Sequence, residues 1–201
     1  MIIILGSSSP RRRELLGNII EHFEILVPLT EEAPRPHELP VEFTNRISRE
    51  KMDSILSMDR GRGNPQLLIT SDTIVSIEGQ ILGKPSNYED ALHKLTLLKG
   101  RTHRVITSIT LLYLNSNSSM DNKILTGHEI TEVTFKNLTL RDLEDYLKKI
   151  DYMDKAGAYA VQDYGSIIIQ NIQGSFTNII GFPLRLFFSM MADMGIDKFF
   201  L

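Results

Sequence analysis

Met1-Ile-Ile-Ile-Leu5 runs straight into Gly6-Ser-Ser-Ser-Pro10 and then into Arg11-Arg-Arg-Glu-Leu-Leu16-Gly17. The apolar run stops at Gly6. It lacks the length and the basic start of a signal peptide, so it reads as a first strand. A serine before a proline marks a helix start, because serine caps free amides and proline tolerates the first helical position. The spacing therefore predicts strand Ile2–Leu5, a serine turn, and a helix from Pro10 to Leu16 that stops at Gly17.

The same alternation continues outward. A second strand is expected near Phe23–Val27, then an irregular loop from Pro28 to Pro40 that holds four prolines. Val41–Met58 reads as a helix, with Phe43, Ile47 and Ile55 on one stripe, closed by Arg60-Gly-Arg-Gly-Asn-Pro65. Leu67–Ile69 and Thr73–Ile77 are β-rich runs on either side of Ser71-Asp72, and Ile77-Glu-Gly-Gln-Ile81 reads as a tight hairpin. Beyond them come a helix over Tyr88–Leu98, a strand over Arg104–Leu114, a polar turn at Asn115–Asn122 and a returning strand over Ile124–Phe135. A helix over Leu140–Ile150, a strand over Ile167–Ile172 and a last helix over Pro183–Met194 complete the reading. Helices and strands that alternate, with one long antiparallel pair, predict an α/β fold around a mixed sheet.

With 201 residues, 42% apolar and 23% charged, the chain can bury one sizeable core, as a single domain or as two lobes that share a cleft. A net charge of −3 gives no general pull toward nucleic acid or anionic membrane, so phosphate binding requires a local cluster of cations. No stretch approaches a membrane-spanning length. The absence of cysteine excludes a disulfide scaffold, a thiolate zinc site and a thiol nucleophile, and is compatible with a reducing compartment. The expectation is a cytoplasmic protein with neither a nucleic-acid nor a membrane partner.

Such a cluster stands in the first helical turn. Arg11, Arg12 and Arg13 sit at the positive end of the helix dipole, an unfavourable place for three cations unless an anion lies nearby. Consecutive helical positions diverge, so two of the three are expected to face the ligand, with Ser7 and Ser8 beside them; the alternative is that the arginines are solvated surface charges paired with acids such as Glu14. Lys51 falls on the apolar stripe of its helix, which leaves two readings open. Its stem can lie along the stripe with the ammonium at an edge, or the ammonium can reach a cleft. Asp72, between two apolar runs, is either at a strand end facing a cleft or buried with partners, and a metal ion or a catalytic water is a natural partner there. A capping role is the alternative.

Lys84 in Leu82-Gly-Lys-Pro85 is either held out from a rigid turn or part of an ordinary surface loop. In Asp154-Lys-Ala-Gly-Ala-Tyr-Ala-Val-Gln162 the small residues permit close approach. Lys155 can then meet a phosphate and Gln162 a base edge, unless the segment is simply tight packing. The five histidines show no metal-ligand spacing, and the serines at 7–9 have no local base.

Together these segments resemble the Maf family of nucleotide pyrophosphatases. The matching pieces are Ser7-Ser-Ser-Pro-Arg-Arg12, Glu31-Glu32, Arg49-Glu-Lys51, Ser71-Asp-Thr-Ile-Val75, Leu82-Gly-Lys-Pro85 and Gly100-Arg-Thr-His103. Asp154-Lys-Ala-Gly-Ala-Tyr159 with Gln162, and Asn178-Ile-Ile-Gly-Phe-Pro183, complete the set, in family order over nearly the whole chain. The resemblance implies one Maf-like domain over residues 1–201, with a Maf/ITPase-like fold: a mixed, partly antiparallel central sheet flanked by helices, and two lobes with a cleft. It implies Asp72 as the base that activates water and Glu32 as a second acidic residue, the two holding Mg²⁺ or another divalent metal such as Mn²⁺. Lys51 and Lys84, with Ser7, Ser8, Arg11 and Arg12, resemble the lining of a triphosphate site, and Lys155 falls in a matching motif.

Arg11, Thr73 and Gln162 match the positions tied to base choice in the branch that handles dTTP and UTP. The implied activity is hydrolysis of these nucleotides to monophosphate and pyrophosphate, and a homodimer is implied as well. Three departures stand out: Gln162-Asp163-Tyr164-Gly165 where the family continues with glycines, Ser7-Ser8-Ser9 where a central glycine is frequent, and Lys99 where a small residue is usual. Two rival functions stay open, a non-catalytic nucleotide-binding regulator of cell division and a phosphomonoester or phosphosugar hydrolase.

Overall fold

The computed structural model describes residues 1–58, 66–115 and 122–196. The expected helix terminator at Arg60–Pro65 and all but the ends of the polar turn at Asn115–Asn122 lie outside them.

Among the described residues, seven strands form one mixed sheet. They are β1 (Ile2–Gly6), β2 (Glu24–Leu26), β3 (Gln66–Ile77), β4 (Gln80–Leu82), β5 (Thr102–Leu114), β6 (Lys123–Phe135) and β7 (Ile169–Gln173). The order is β2-β1-β3-β5-β6-β7, with β4 on the free side of β3. β1 lies parallel to both β2 and β3, whereas β3–β5, β5–β6 and β6–β7 are antiparallel. The mixed, partly antiparallel sheet expected from the sequence is thus present.

The helices are α1 (Pro10–Gly17), α2 (Pro40–Met58), α3 (Tyr88–Leu98), α4 (Leu140–Leu147), α5 (Gly165–Ile168), α6 (Phe176–Ile180) and α7 (Leu184–Met194), with a short 3-10 turn at Ala156–Ala158. Local chemistry explains several ends. Ser9 caps α1, with Pro10 in the first helical turn. Thr139 and Asp142 form a reciprocal capping box on α4. Glu78 and Gly79 both take positive φ, the conformation that a two-residue hairpin between right-twisted strands requires.

The sheet is packed on both faces and at one end. α2 lays Met52 and Ile55 on Ile4, Leu68 and Leu112, and lays Phe43 and Ile47 on Ile74 and Ile106. On the opposite face, Leu16 of α1 and Phe187, Met190 and Met191 of α7 cover Ile3, Leu5, Leu67, Ile69, Ile109 and Leu111. A separate cluster gathers Leu95 and Leu98 of α3, Tyr146 and Leu147 of α4, Ala158 and Tyr159 around Val75, Val105, Val133 and Phe135. β3, β5 and β6 run through both assemblies, and a cleft opens between them.

Three expectations are corrected. The two β-rich runs around Ser71-Asp72 are one unbroken strand, because Thr70, Ser71 and Asp72 keep their ladder with β5 although their side chains are polar. Ile167–Ile172 is not a strand throughout, since Gly165–Ile168 forms a helical turn before β7 begins at Ile169. Phe176–Ile180 is helical where no element was expected. Ser175 caps it, and Gly181 ends it in the left-handed region at φ 111°.

Candidate active site

The cleft exists because β1 is short. Its last pairing with β3 is Gly6 with Thr70, and β3 continues to Ile77. From Ser71 onward, one edge of β3 has no neighbouring strand until β4 joins at Val75. The crevice outside the carboxyl end of a parallel strand is where open α/β sheets place ligands. A cavity of about 220 Å³ occupies this notch, lined among others by Ser7, Ser8, Arg11, Arg12, Glu32, Lys51, Asp72, Thr73, Lys84, Lys155 and Gln162. Every residue singled out from the sequence as a site candidate therefore borders one cavity. Gly6 sits at the strand end, where a Cβ would lie 2.6 Å from Thr70 Cγ2 and 2.9 Å from Ile55 Cγ1, so only glycine lets the chain turn out here.

Arg12 fills the place that a longer β1 would occupy. Its Nη1 donates to the Ser71 carbonyl at 2.9 Å, its Nε to the Gly181 carbonyl at 2.8 Å, and its Nη2 to Thr73 Oγ1 at 2.9 Å. A longer contact of 3.4 Å reaches Ser7 Oγ. The strand edge thus has its open carbonyl satisfied by a side chain. Thr107 Oγ1 gives its proton to the Asn178 carbonyl at 2.9 Å, so at the 3.0 Å contact between the two hydroxyls Thr73 is the donor. The result is a directed chain from Arg12 through Thr73 and Thr107 to α6. Burial pulls the Arg12 guanidinium below its ordinary pKa, opposed by Asp72 and Glu32.

Asp72 and Lys51 are buried, at 3% and 6% exposure, and Lys51 Nζ lies 2.7 Å from Asp72 Oδ1. The same ammonium lies 2.7 Å from Glu32 Oε1. The stripe position of Lys51 thus delivers the ammonium into the cleft. Burial opposes ionisation of Glu32, but Lys51 first, then Lys84 and Arg12, more than offset it and hold the carboxyl below its usual range. Asp72 Oδ2 is buried without a hydrogen-bond partner, so one carboxylate oxygen at the notch has unused acceptor capacity.

That orphaned oxygen bears on a metal. Among the described residues there is no group of three or more His, Cys, Asp or Glu side chains able to hold an ion. Mg²⁺ does not need such a cage, since one or two carboxylates, waters and substrate phosphates complete its shell. Asp72 and Glu32, bridged by one ammonium, fit that kind of site and not an all-protein one.

The opposite wall is built differently. Gly157 takes φ 69°, a Cβ there would lie 2.9 Å from Val75 Cγ2, and its amide donates to the Gly83 carbonyl at 3.2 Å. This contact holds the turn that carries Lys84 against the 3-10 turn. Arg11 crosses the cleft to Asp154, with Nη1 2.9 Å from Oδ2. Asp154 Oδ1 accepts from Lys155 Nζ at 2.7 Å, and the same ammonium donates to the Asp151 carbonyl. Gln162 is exposed at the rim, and Arg13 points to solvent. Behind this wall Tyr159 meets the buried His103, with OH and Nε2 2.9 Å apart, and burial drives the His103 pKa down to about 3.

Sequence reasoning missed Asp154 as a partner of both Arg11 and Lys155, and missed the seats that Gly181, Thr107 and Asn178 provide. The only signal for Asp154, Asn178 and Gly181 was membership of the motifs Asp154–Tyr159 and Asn178–Pro183, and Thr107 lay in no motif, since the contacts join residues far apart in the chain.

Comparison with known proteins agrees over the full length. The model of the Maf-like protein family matches residues 2–194. A dTTP/UTP pyrophosphatase of Clostridioides difficile (strain 630) is 38% identical over 200 residues, covering 100% of this chain and 96% of that protein. A dTTP/UTP pyrophosphatase of Bacillus cereus (strain B4264) is 35% identical over 195 residues, covering 97% and 96%. Among solved structures, a HAM1 protein from Coxiella burnetii aligns with 96% of this chain and 100% of its own at a TM-score of 0.47 and 15% identity, a likeness too loose to build on. By the family match and these full-length relatives, the chain belongs to the Maf-like family.

Proposed function

We propose that this protein hydrolyses nucleoside triphosphates, with dTTP and UTP preferred, to the monophosphate and pyrophosphate, and that it serves to clear unwanted pyrimidine nucleotides. One observation carries the reading. A buried carboxylate, Asp72, keeps one oxygen unpartnered at the notch of the sheet, in a cavity lined by Arg11, Arg12, Lys51, Lys84 and Lys155. Five cations around one cavity in a chain of net charge −3 suit a polyanion. The names of the full-length relatives support the same substrates.

In this reading Asp72 Oδ2 accepts a proton from water as the water oxygen bonds to the α-phosphorus. The bond between that phosphorus and the oxygen bridging to the β-phosphate breaks, and pyrophosphate leaves. Lys51 pairs with Asp72 at 2.7 Å before substrate arrives and then faces the developing charge with Lys84. Phosphoryl transfer depends mainly on positioning and charge neutralisation, which these fixed cations supply. Asp72 and Glu32 would hold a divalent cation, Mg²⁺ or Mn²⁺, which supplies positive charge to the phosphate oxygens when bound. Arg12, already committed to protein acceptors, shapes the phosphate pocket with Ser7 and Ser8, while Arg11, Thr73 and Gln162 read the base. We take residues 1–201 as one domain, acting in the cytoplasm as a homodimer.

A product-resolved assay with Mg²⁺ tests this against all common NTPs and dNTPs. Pyrophosphate with dTMP or UMP, lost with EDTA and reduced about 10²–10⁴-fold in Asp72→Asn, is the expected result. Inorganic phosphate as sole product would point instead to a phosphomonoesterase. Tight binding without turnover would point to a regulator.

A further inference from the structure

Arg11 and Arg12 are neighbours in sequence, yet they are anchored in unlike ways. Arg12 is seated on carbonyls and hydroxyls of β3, α6 and the serine turn. The hydrogen bonds of the Arg11 guanidinium run instead to a single residue on the far wall, 143 positions along the chain. Nη1 reaches Asp154 Oδ2 at 2.9 Å, and Nη2 reaches the Asp154 carbonyl at 3.4 Å. Asp154 is itself tied down, because Lys155 Nζ takes its other carboxylate oxygen at 2.7 Å and is held in turn by the Asp151 carbonyl. Burial alone would raise the Asp154 carboxyl, but Lys155 and Arg11 keep it below its ordinary range, so it is ionised.

We infer that Asp154 is a positioning residue for base selectivity, acting through Arg11. This rests on the proposed pyrophosphatase reading and deepens it. A carboxylate with one oxygen assigned to each of two cations fixes where each cation points. A guanidinium held still presents donors only, and a donor array separates uracil or thymine from cytosine. The first two carry an acceptor at O4, whereas cytosine carries an amino donor at N4. A mobile Arg11 would swing away from the wrong base, whereas a clamped one remains as an unpaired donor against it. The alternative, that Asp154 stands in for phosphate and is displaced by substrate, accounts for the carboxylate contacts but not for the second Arg11 contact to the Asp154 backbone.

The test uses the full-length wild type, Asp154→Asn, Asp154→Glu, Arg11→Ala and the Arg11→Ala/Asp154→Asn double variant. Two readouts are taken for UTP and CTP: kcat and KM for pyrophosphate release, and Kd for their non-hydrolysable α,β-imido analogues. In Asp154→Asn the UTP-to-CTP ratio of kcat/KM is expected to fall about 10- to 100-fold, the scale on which small misplacement and lost polar readout act. The change should lie in KM for UTP, with kcat nearly kept, and Asp154→Glu should recover part of it. In the Arg11→Ala background the second substitution should add less than about threefold, as expected for residues acting as one unit. The melting midpoint should barely move, since half-exposed ion pairs contribute little.

An unchanged ratio, full additivity with Arg11→Ala, or tighter binding of both analogues in Asp154→Asn would overturn the inference. So would a wild type that binds both analogues equally. Failure of the wild type to release pyrophosphate would sink the pyrophosphatase reading by itself, and the analogue affinities would still decide the role of Asp154.

Discussion

The two walls of the cleft carry similar charges and hold them in opposite ways. On the strand side, Arg12, Lys51 and Asp72 are locked by backbone carbonyls, neighbouring hydroxyls and one another, and Asp72 and Lys51 are buried. On the far side, Asp154 is 45% exposed and Gln162 lies open at the rim. The backbone there is seated through Gly157 against Val75, and Arg11, Asp154 and Lys155 are held by one another instead of by the core. Asp72 and Lys51 are thus part of the core, whereas Glu32 and Lys84 are exposed at the cleft and Asp154 and Gln162 hang from its rim. Rate and selectivity should respond to different substitutions.

The contrast can be broken by four measurements of decreasing size. Lys51→Met leaves Asp72 as a buried charge without its cation, and loss of one partner of such a pair costs about 3–5 kcal/mol. Chemical denaturation at neutral pH should show this loss. Added Mn²⁺ should raise the melting midpoint of that variant more than that of the wild type. Arg12→Ala strips the donor from the Ser71 carbonyl, while the Gly181 carbonyl keeps Ser71 Oγ at 3.3 Å, so one unsatisfied carbonyl should cost about 1–3 kcal/mol. If either variant proves as stable as the wild type, the strand-side wall is not part of the core in the sense described.

The third measurement concerns His103, which burial keeps neutral in the folded state down to about pH 3 against an ordinary value of 6.5. Between these two values the unfolded chain binds the extra proton and the folded one does not. Stability should therefore rise with pH through this window and fall on acidification, by up to about 1.4 kcal/mol per pH unit from this residue. Unfolding measured from pH 7 to 4 in the wild type and in His103→Gln should differ in slope. Equal slopes would mean that His103 is protonated in the fold. The smallest effect is expected for Gln162→Ala, within about 0.5 kcal/mol of the wild type because the residue is exposed, while base preference shifts. A large loss of stability there would erase the distinction between the walls.

The sequence was most informative where structure is local. The strand, serine turn and helix of residues 2–17 follow from an apolar run, a capping serine and a proline, and the hairpin at Glu78-Gly79 follows from its turn residues. Ser71-Asp-Thr73 interrupted the apolar pattern and disguised β3 as two pieces, because a polar side chain over a cleft breaks periodicity without breaking the ladder. Ile167–Ile172 hid the switch from α5 to β7, since a single helical turn of apolar residues has no period of its own. At the site, residue types pointed to chemistry but not to pairings. That Lys51 bridges Asp72 and Glu32, or that Arg11 reaches Asp154, depends on strand order and on how far β1 extends. Neither is written in local pattern.

The early end of β1 has one further consequence. Its last pairing, Gly6 with Thr70, fixes both where the guanidinium of Arg12 enters and where Asp72 becomes reachable. Lengthening β1 by a residue or two would close the notch and displace Arg12, while shortening it would bare more ladder than one side chain can cover. The proposed reaction centre is therefore specified by an integer, the number of rungs in a parallel ladder, and it cannot drift by degrees. The segment at residues 151–164 carries no such constraint. Descendants of this sequence should change what they select by altering that segment long before they alter where the chemistry occurs.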